Sequence, residues 1–483
     1  MGSPVLIWRV RINIRQAILY AAVVGIVVGI FEVKKPTSMP AGQVGRNEHL
    51  GSAKRRKRVS SAILLMLTEQ LQNCGVRERH VLVVAAGFVT MFLTCGIIFS
   101  YGVYQAIYQE LAGEPETPFT GASSSVISLI GTLAIALMSM GGPFATAWSK
   151  LYGPQPVIAA GGMIFGLGCI LASLSEYVWE FALTHGLLVG IGTCLAYVPT
   201  MSVAPTWFNK RRGLAMGIVI SGSACGGMVW PPVLRAITAS IGFRNALRIS
   251  GCLTAGLTKK TGWTKVPLIN WNIAKSKKFA GQALGCFIQS AGYSTPLFFY
   301  AAFAQSLGYS KSQADTFITI SNAANFVSRI VIGYAADKLG RLNMLFFTTV
   351  VSAFSVFAFW LPSTFVDKTV TSLASEVLFI FFAILYGCFG SAYISLFPAS
   401  LVELFGVQHY TSVNGALYFI RGAGALLGTP LTGLLLSGQS ALESPYNYER
   451  VAITVGVLLS VASLATLWVR IEASSGKQWA WKM

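Results

Sequence analysis

Gly333-Tyr-Ala-Ala-Asp337-Lys338-Leu-Gly340-Arg341 is a short polar interval between two apolar runs, residues 314–336 and 342–361. Its spacing is G-x-x-x-D-[RK]-x-G-[RK]. Gly333 and Gly340 allow a tight turn between two helices. Asp337 can accept backbone N–H bonds at a helix start. Lys338 and Arg341 hold the turn on the side of a membrane where basic residues collect. The stretch therefore reads as a hairpin loop between two membrane spans.

The rest of the chain repeats that pattern. Of 483 residues, 54% are hydrophobic and only 11% are charged, against about 25% charged in soluble globular proteins. This excludes a soluble enzyme, a disordered chain and a nucleic-acid binder, despite the net charge of +19. A spanning helix needs about 20 mostly apolar residues. Six candidates lie at 81–107, 124–147, 157–175, 178–204, 213–237 and 242–258, and six more at 279–306, 314–336, 342–361, 373–399, 410–437 and 450–470. The interval Lys259–Lys278, with Lys260, Lys265, Lys275 and Lys277, separates the two sets. The expected fold class is an all-α polytopic membrane protein, with twelve transmembrane helices in two six-helix bundles. The expected domains are a basic N-terminal arm (1–80), an N-terminal bundle (81–258), a basic cytosolic linker (259–278), a C-terminal bundle (279–470) and a cytosolic tail (471–483).

Charge sets the orientation. With both termini and the linker in the cytosol, 28 of the 36 Lys and Arg residues fall on that side, as the positive-inside rule requires. Glu110, Glu114 and Glu116 fall in the first outer loop. The arm also carries the apolar run Ala17–Phe31, preceded by Arg9, Arg11 and Arg15 and followed by the basic cluster Lys54–Arg58. Fifteen residues are short for a span, so the arm is expected to carry no function. The sixth span is interrupted by Arg244 and Arg248. Either it is a tilted helix whose arginines reach outward, or residues are missing and the span is defective.

Two further stretches sharpen the outline. Trp207-Phe208-Asn209-Lys210-Arg211-Arg212-Gly213-Leu214-Ala215-Met216-Gly217 joins the fourth and fifth spans. Ser321-Asn322-Ala-Ala-Asn325-Phe-Val-Ser-Arg329 lies in the eighth span, after Tyr-Ser-Thr-Pro296 in the seventh. Together with the hairpin loop, they resemble the major facilitator superfamily, and within it the monocarboxylate porter family in its fungal form. The loop equivalent to the hairpin in the first half reads Lys150-Leu-Tyr-Gly153-Pro-Gln-Pro, with Lys150 where an acid is expected. The resemblance implies two bundles that alternate access to a central site. It also implies conformational roles for Gly333, Asp337, Lys338, Gly340, Arg341, Lys210, Arg211 and Arg212.

Only Arg329 and Arg421 sit deep inside spans. A charge there costs about 2.5–3.5 kcal/mol on insertion scales, so each should face a cavity or a partner. A guanidinium can take a carboxylate through two parallel hydrogen bonds; each arginine can equally serve as an interhelical anchor. The resemblance implies that Arg329 receives the substrate anion. The aspartate that such porters carry one turn earlier is Asn325 here, and Gln105 stands near where they carry a lysine. The candidate substrate-binding residues are thus Arg329, Asn325, Asn322, Tyr101, Gln105, Tyr197, Tyr293, Tyr386 and Arg421. His185, Gln289 and Tyr393 are further polar positions on spans expected to line the path.

No Ser/His/Asp set, phosphate loop or metal-ligand cluster is present in the sequence, so no catalytic activity, metal or cofactor is expected. The expected partners are a small-molecule substrate and the lipid bilayer, with no nucleic acid; the oligomeric state stays open. The functional expectation is a secondary transporter of a small organic molecule, a monocarboxylate or related metabolite, in the plasma membrane. Export of a fungal secondary metabolite, a non-transporting ligand sensor and a non-functional product with a defective sixth span are the alternatives.

Overall fold

The computed structural model describes residues 80–208, 211–257, 275–365, 372–433, 435 and 445–474. The expected N-terminal arm, most of the linker, Lys210 and the end of the tail lie outside the described residues. Helices occur where the apolar runs predict them. In the first half they are α1 (His80–Ala112), α2 (124–152, bent by 49° at Gly141), α3 (Pro154–Ala172), α4 (Val178–Thr206), α5 (Arg212–Ile241) and α6 (Phe243–Leu257). The second half supplies α7 (Lys277–Ser306), α8 (Lys311–Leu339), α9 (Arg341–Thr364), α10 (372–405), α11 (407–433) and α12 (Glu449–Ser474).

Local chemistry sets the boundaries. Ser276 caps α7 by accepting the Phe279 N–H at 3.2 Å, and Ser310 and Gln313 form a reciprocal capping box at the start of α8. The hairpins α2–α3 and α8–α9 turn at Gly153 (φ 88°) and Gly340 (φ 97°), and α10 gives way to α11 at Gly406 (φ 73°). Such backbone angles strain any residue with a Cβ.

Among the described residues, seven helical runs are long and apolar enough to cross a membrane, with α10 and α11 counted as the single run Val377–Gly428; the bent α2 makes eight. α6 falls short by length, having 15 residues. α7 and α8 fall short because of the polar side chains they carry. Those two helices hold much of the candidate site.

The sixth helix uses its two arginines to contact α3. Arg244 donates from Nη1 to the Ser173 carbonyl at 2.9 Å and from Nη2 to the Ser175 carbonyl at 3.1 Å. Arg248 Nε donates to Ser173 Oγ at 2.9 Å. Arg244 thus satisfies carbonyls just past the C-terminal end of α3, where backbone acceptors lack an intrahelical donor, and Arg248 holds the Ser173 side chain. Deeper in, Gly166 of α3 and Gly251 of α6 meet backbone to backbone. A short helix held in this way is an ordered part of the fold.

Glycine pairs bring helices together, as small residues do in lipid. Gly222 and Gly226 of α5 lie on the backbone of α1, and Gly424 and Gly428 of α11 lie on that of α7. On another face of α5, Gly213 and Gly217 lie against Gly333 and the Arg329 carbonyl of α8. A Cβ at Gly217 would overlap that carbonyl, so only glycine allows this approach.

Candidate functional site

Two cationic side chains organise the interior. Arg329 on α8 is 1% exposed and Arg421 on α11 is 7% exposed. They lie within electrostatic reach of each other and of Tyr197 and Tyr293. Among the described residues, the groups acting most strongly on them are tyrosines, with Cys95 and Arg421 also acting on Arg329.

Their bonding differs. Arg329 Nη1 donates to the Ile220 carbonyl at 2.6 Å and to Ser223 Oγ at 2.7 Å, both on α5. Its Nε has no protein partner, and the Tyr293 phenol lies against the guanidinium. Arg421 has its guanidinium carbon 5.8 Å from the centre of the Tyr418 ring, a cation–π geometry. Its Nη1 is buried without a protein partner.

Two tyrosine pairs accompany the arginines. Tyr197 on α4 donates to the Tyr418 hydroxyl on α11 at 3.1 Å, with ring centres 5.4 Å apart and planes at 90°. Tyr293 on α7 stacks on Tyr386 of α10 at 6.2 Å, and the Tyr386 hydroxyl donates to the Tyr293 carbonyl at 3.0 Å. Asn325, one turn before Arg329, accepts from Ser391 Oγ at 2.6 Å, at the break in α10. Asn322 is half-buried and faces Gly227 of α5.

The structure thus brings together Arg329, Arg421, Tyr197 and Tyr293, with Tyr386 and Asn325 supporting them. Tyr101 is placed elsewhere. Its hydroxyl donates to the Ile127 carbonyl at 2.7 Å, and its ring packs edge-on against His185 in an apolar cluster of α1, α2 and α4. Gln105 is half-buried on α1, one turn beyond Tyr101. Sequence reasoning missed Tyr418, Ser223 and Ser391. The signal for Tyr418 was its i, i+3 spacing from Arg421, which puts both on one helix face. Ser223 and Ser391 carry no local signal.

The spacing of the hairpin loop has a tertiary purpose. Asp337 Oδ1 accepts the Gly213 N–H at 2.8 Å, and Oδ2 accepts the Leu214 N–H at 2.9 Å. It therefore caps α5, a helix from the other half of the chain, at the end where free N–H groups favour an anion. Arg341 donates to the same carboxylate from Nε at 3.1 Å and from Nη2 at 2.9 Å. Arg212 Nε donates to the Pro205 and Phe208 carbonyls. Lys338 Nζ lies 4.6 Å over the Tyr334 ring. Glu403 near the end of α10 is surrounded by Arg341, Arg212, Arg470 and Asp337.

A second seam closes α2 on α11 at the same end of the bundle. Lys150 Nζ donates to Ser412 Oγ at 2.7 Å. A Cβ on Gly142 would lie 2.9 Å from the Gly415 carbonyl. Nearby, Tyr410 donates to the Met201 carbonyl at 2.6 Å and Asn414 to Ser202 at 3.2 Å. The lysine that breaks the loop pattern in the first half is thus an interhelical hydrogen-bond donor.

Comparison with known proteins agrees with this geometry. The family model described as Major Facilitator Superfamily matches residues 87–258 and 283–479. An "MFS-type transporter" of Gibberella moniliformis is 26% identical over 400 residues, covering 80% of this chain and 90% of the relative. The agnestins efflux protein of Paecilomyces divaricatus is 27% identical, covering 82% of this chain and 89% of the relative. An Aspergillus terreus MFS-type transporter is 35% identical over 277 residues, covering 54% of this chain and 91% of the relative. A crystal structure of a double-tryptophan XylE mutant superposes with a TM-score of 0.62 at 14% identity, over 81% of this chain and 95% of that one. The match over both halves, the apolar helices and the shared fold together place this chain, a multi-pass membrane transporter, in the Major Facilitator Superfamily.

Proposed function

We propose that the protein is a secondary transporter of the monocarboxylate-porter type that moves an organic anion by alternating access, and that it is not an enzyme. One observation carries this reading: two guanidinium groups are buried among tyrosines within electrostatic reach of each other, and among the described residues neither is in an ion pair with a carboxylate. A buried charge needs a partner, and the positive field of two cations in a bundle interior favours a negative ligand. The paired seams of α5 with α8 and of α2 with α11 support alternating access. Both are closed at one end, which the basic loops assign to the cytosol. In this state the central site opens away from the cytosol or is occluded.

Export across the plasma membrane is the favoured direction. Relatives are named as agnestins and fujikurins efflux proteins, and the tyrosine-rich site suits a larger, aromatic cargo than a simple short-chain acid. Asn325 occupies the position where such porters hold a titratable aspartate. It cannot take up a proton, so coupling at this position is expected to be weak.

The test is transport of a panel of aromatic and aliphatic carboxylates in proteoliposomes, with and without a proton ionophore. Carboxylate movement that survives the ionophore in the native protein is expected, and Asn325→Asp should introduce ionophore sensitivity. Failure of every carboxylate, with movement of neutral or cationic solutes instead, would overturn the organic-anion reading.

A further inference from the structure

Among the described residues, the buried polar atoms without protein partners include five on the packed helices α7, α10 and α11. They are Arg421 Nη1 on α11, the Tyr393 hydroxyl on α10, both amide atoms of Gln282 and the Gln289 Oε1 on α7. Arg421 is 7% exposed, and Tyr393, Gln282 and Gln289 are each 1% exposed. Helical spacing puts Gln282, Cys286 and Gln289 on one face of α7. That face looks toward α10 and α11. Cys286 Sγ lies 3.6 Å from the Leu417 carbonyl, one turn before Arg421. The Tyr393 hydroxyl lies 3.9 Å from where a Gly285 Cβ would stand, and Tyr393 is within electrostatic reach of Arg421.

The contrast with Arg329 is informative. Arg329 Nη1 is tied to a carbonyl and a hydroxyl of α5, whereas the corresponding nitrogen of Arg421 has nothing to donate to. A buried polar group left unsatisfied is costly, and a charged one more so. Four such side chains on three packed helices leave bonds that a ligand could supply. The donors (Arg421, Tyr393 and the Gln282 NH2) suit a carboxylate. The acceptors (Gln282 Oε1 and Gln289 Oε1) suit hydroxyl groups. The ring of Tyr418 beside Arg421 and that of Tyr293 on α7 suit an aromatic body.

We propose that Arg421, with Tyr393, Gln282 and Gln289, holds the carboxylate and hydroxyls of an aromatic hydroxy acid, and that Arg329 is an interhelical positioning residue. This rests on the transporter reading above for its location on the substrate path. It departs from what the sequence resemblance implies, namely that the arginine of the eighth span is the anion ligand.

The test uses the full chain in nanodiscs with three probes: gallate, methyl gallate, which lacks the anion, and benzoate, which lacks the hydroxyls. Gallate should bind tightest. Arg421→Gln should weaken gallate and benzoate by about tenfold to a hundredfold, the loss of a charge-assisted pair, and leave methyl gallate unchanged. Gln289→Leu should weaken gallate and methyl gallate and spare benzoate. Arg329→Lys should lower Tm while leaving gallate affinity within about twofold, since the loss falls on helix packing. Where Arg421→Gln does not fold, Arg421→Lys and Tyr393→Phe serve, with losses of about tenfold and roughly threefold.

Absence of gallate binding to the native protein, or unchanged affinity in every Arg421 and Tyr393 variant, overturns the proposal. So does loss of benzoate binding in Arg329→Lys alone. Counterflow in proteoliposomes separates the two levels. Gallate binding without counterflow keeps this site and refutes the transport reading. Counterflow that ignores Arg421 keeps transport and refutes the site.

Discussion

The two seams that close one end of the bundle use opposite electrostatics. Where α5 meets α8, a carboxylate caps a helix start: Asp337 takes two N–H groups of α5 and is itself held by Arg341. Where α2 meets α11, a cation occupies the corresponding loop. Lys150 reaches Ser412 in the second turn of α11, near a helix start whose free N–H groups already carry positive partial charge. The first arrangement joins an anion to positive groups on both sides. The second relies on neutral hydrogen bonds and on the close packing of Gly142 with Gly415. The difference teaches that a degenerate motif copy need not be an empty one. It makes the α5–α8 seam the firmer latch and the α2–α11 seam the more readily parted.

Four substitutions probe that asymmetry. Gly217→Leu should have the largest effect. Its side chain would meet the Arg329 carbonyl directly, and overpacking of that kind costs about 3 kcal/mol, the upper end of its usual range. Loss of monodisperse protein on size exclusion, or a large fall in Tm, is expected; native-like stability would show that the seam is not close-packed.

Asp337→Asn comes next. It keeps the shape but removes the charge from two N–H bonds and from the pair with Arg341, for about 1.5–3 kcal/mol. Spin labels on the ends of α5 and α8 should report a wider distance distribution, and transport should slow. An unchanged distribution would mean that glycine packing alone holds the seam.

Tyr410→Phe deletes one buried neutral bond, to the Met201 carbonyl across the α4–α11 contact, and should cost about 0.5–1.5 kcal/mol. Spin labels on α2 and α11 should broaden less than those on α5 and α8 do in Asp337→Asn; a larger change would reverse the ranking of the seams.

Lys150→Glu should have the smallest effect and the opposite sign. An acid near the start of α11 should stabilise the closed seam by about 0.3–1 kcal/mol, raising Tm slightly and slowing turnover. A fall in Tm would show that the Lys150–Ser412 bond outweighs the helix-end electrostatics.

The candidate site was legible in part. Arg329 and Arg421 were legible because a charge inside an apolar run stands out against its neighbours. Tyr197, Tyr293 and Tyr386 followed from placement on helices expected to line the path. Tyr101 shared that placement but packs into an apolar cluster with His185, since helix period alone does not say which inward-facing ring meets the path. What each arginine touches was not legible at all. Ile220 and Ser223 lie more than a hundred residues before Arg329, and no local spacing announces a bond between them.

The sequence by itself determined that the chain crosses a membrane many times, where its helices lie and where its hairpins turn. Those properties follow from local rules: a bilayer requires runs of apolar residues, and a turn through positive φ requires glycine. Only the tertiary structure decided that Asp337 caps α5 rather than its own hairpin, that Arg244 and Arg248 brace the end of α3, and that Arg329 Nη1 is tied to α5 while Arg421 Nη1 has no protein partner. Each of these is a bond between residues far apart in the chain. Its formation depends on which helices pack side by side, and hydropathy and spacing within one helix carry no record of that.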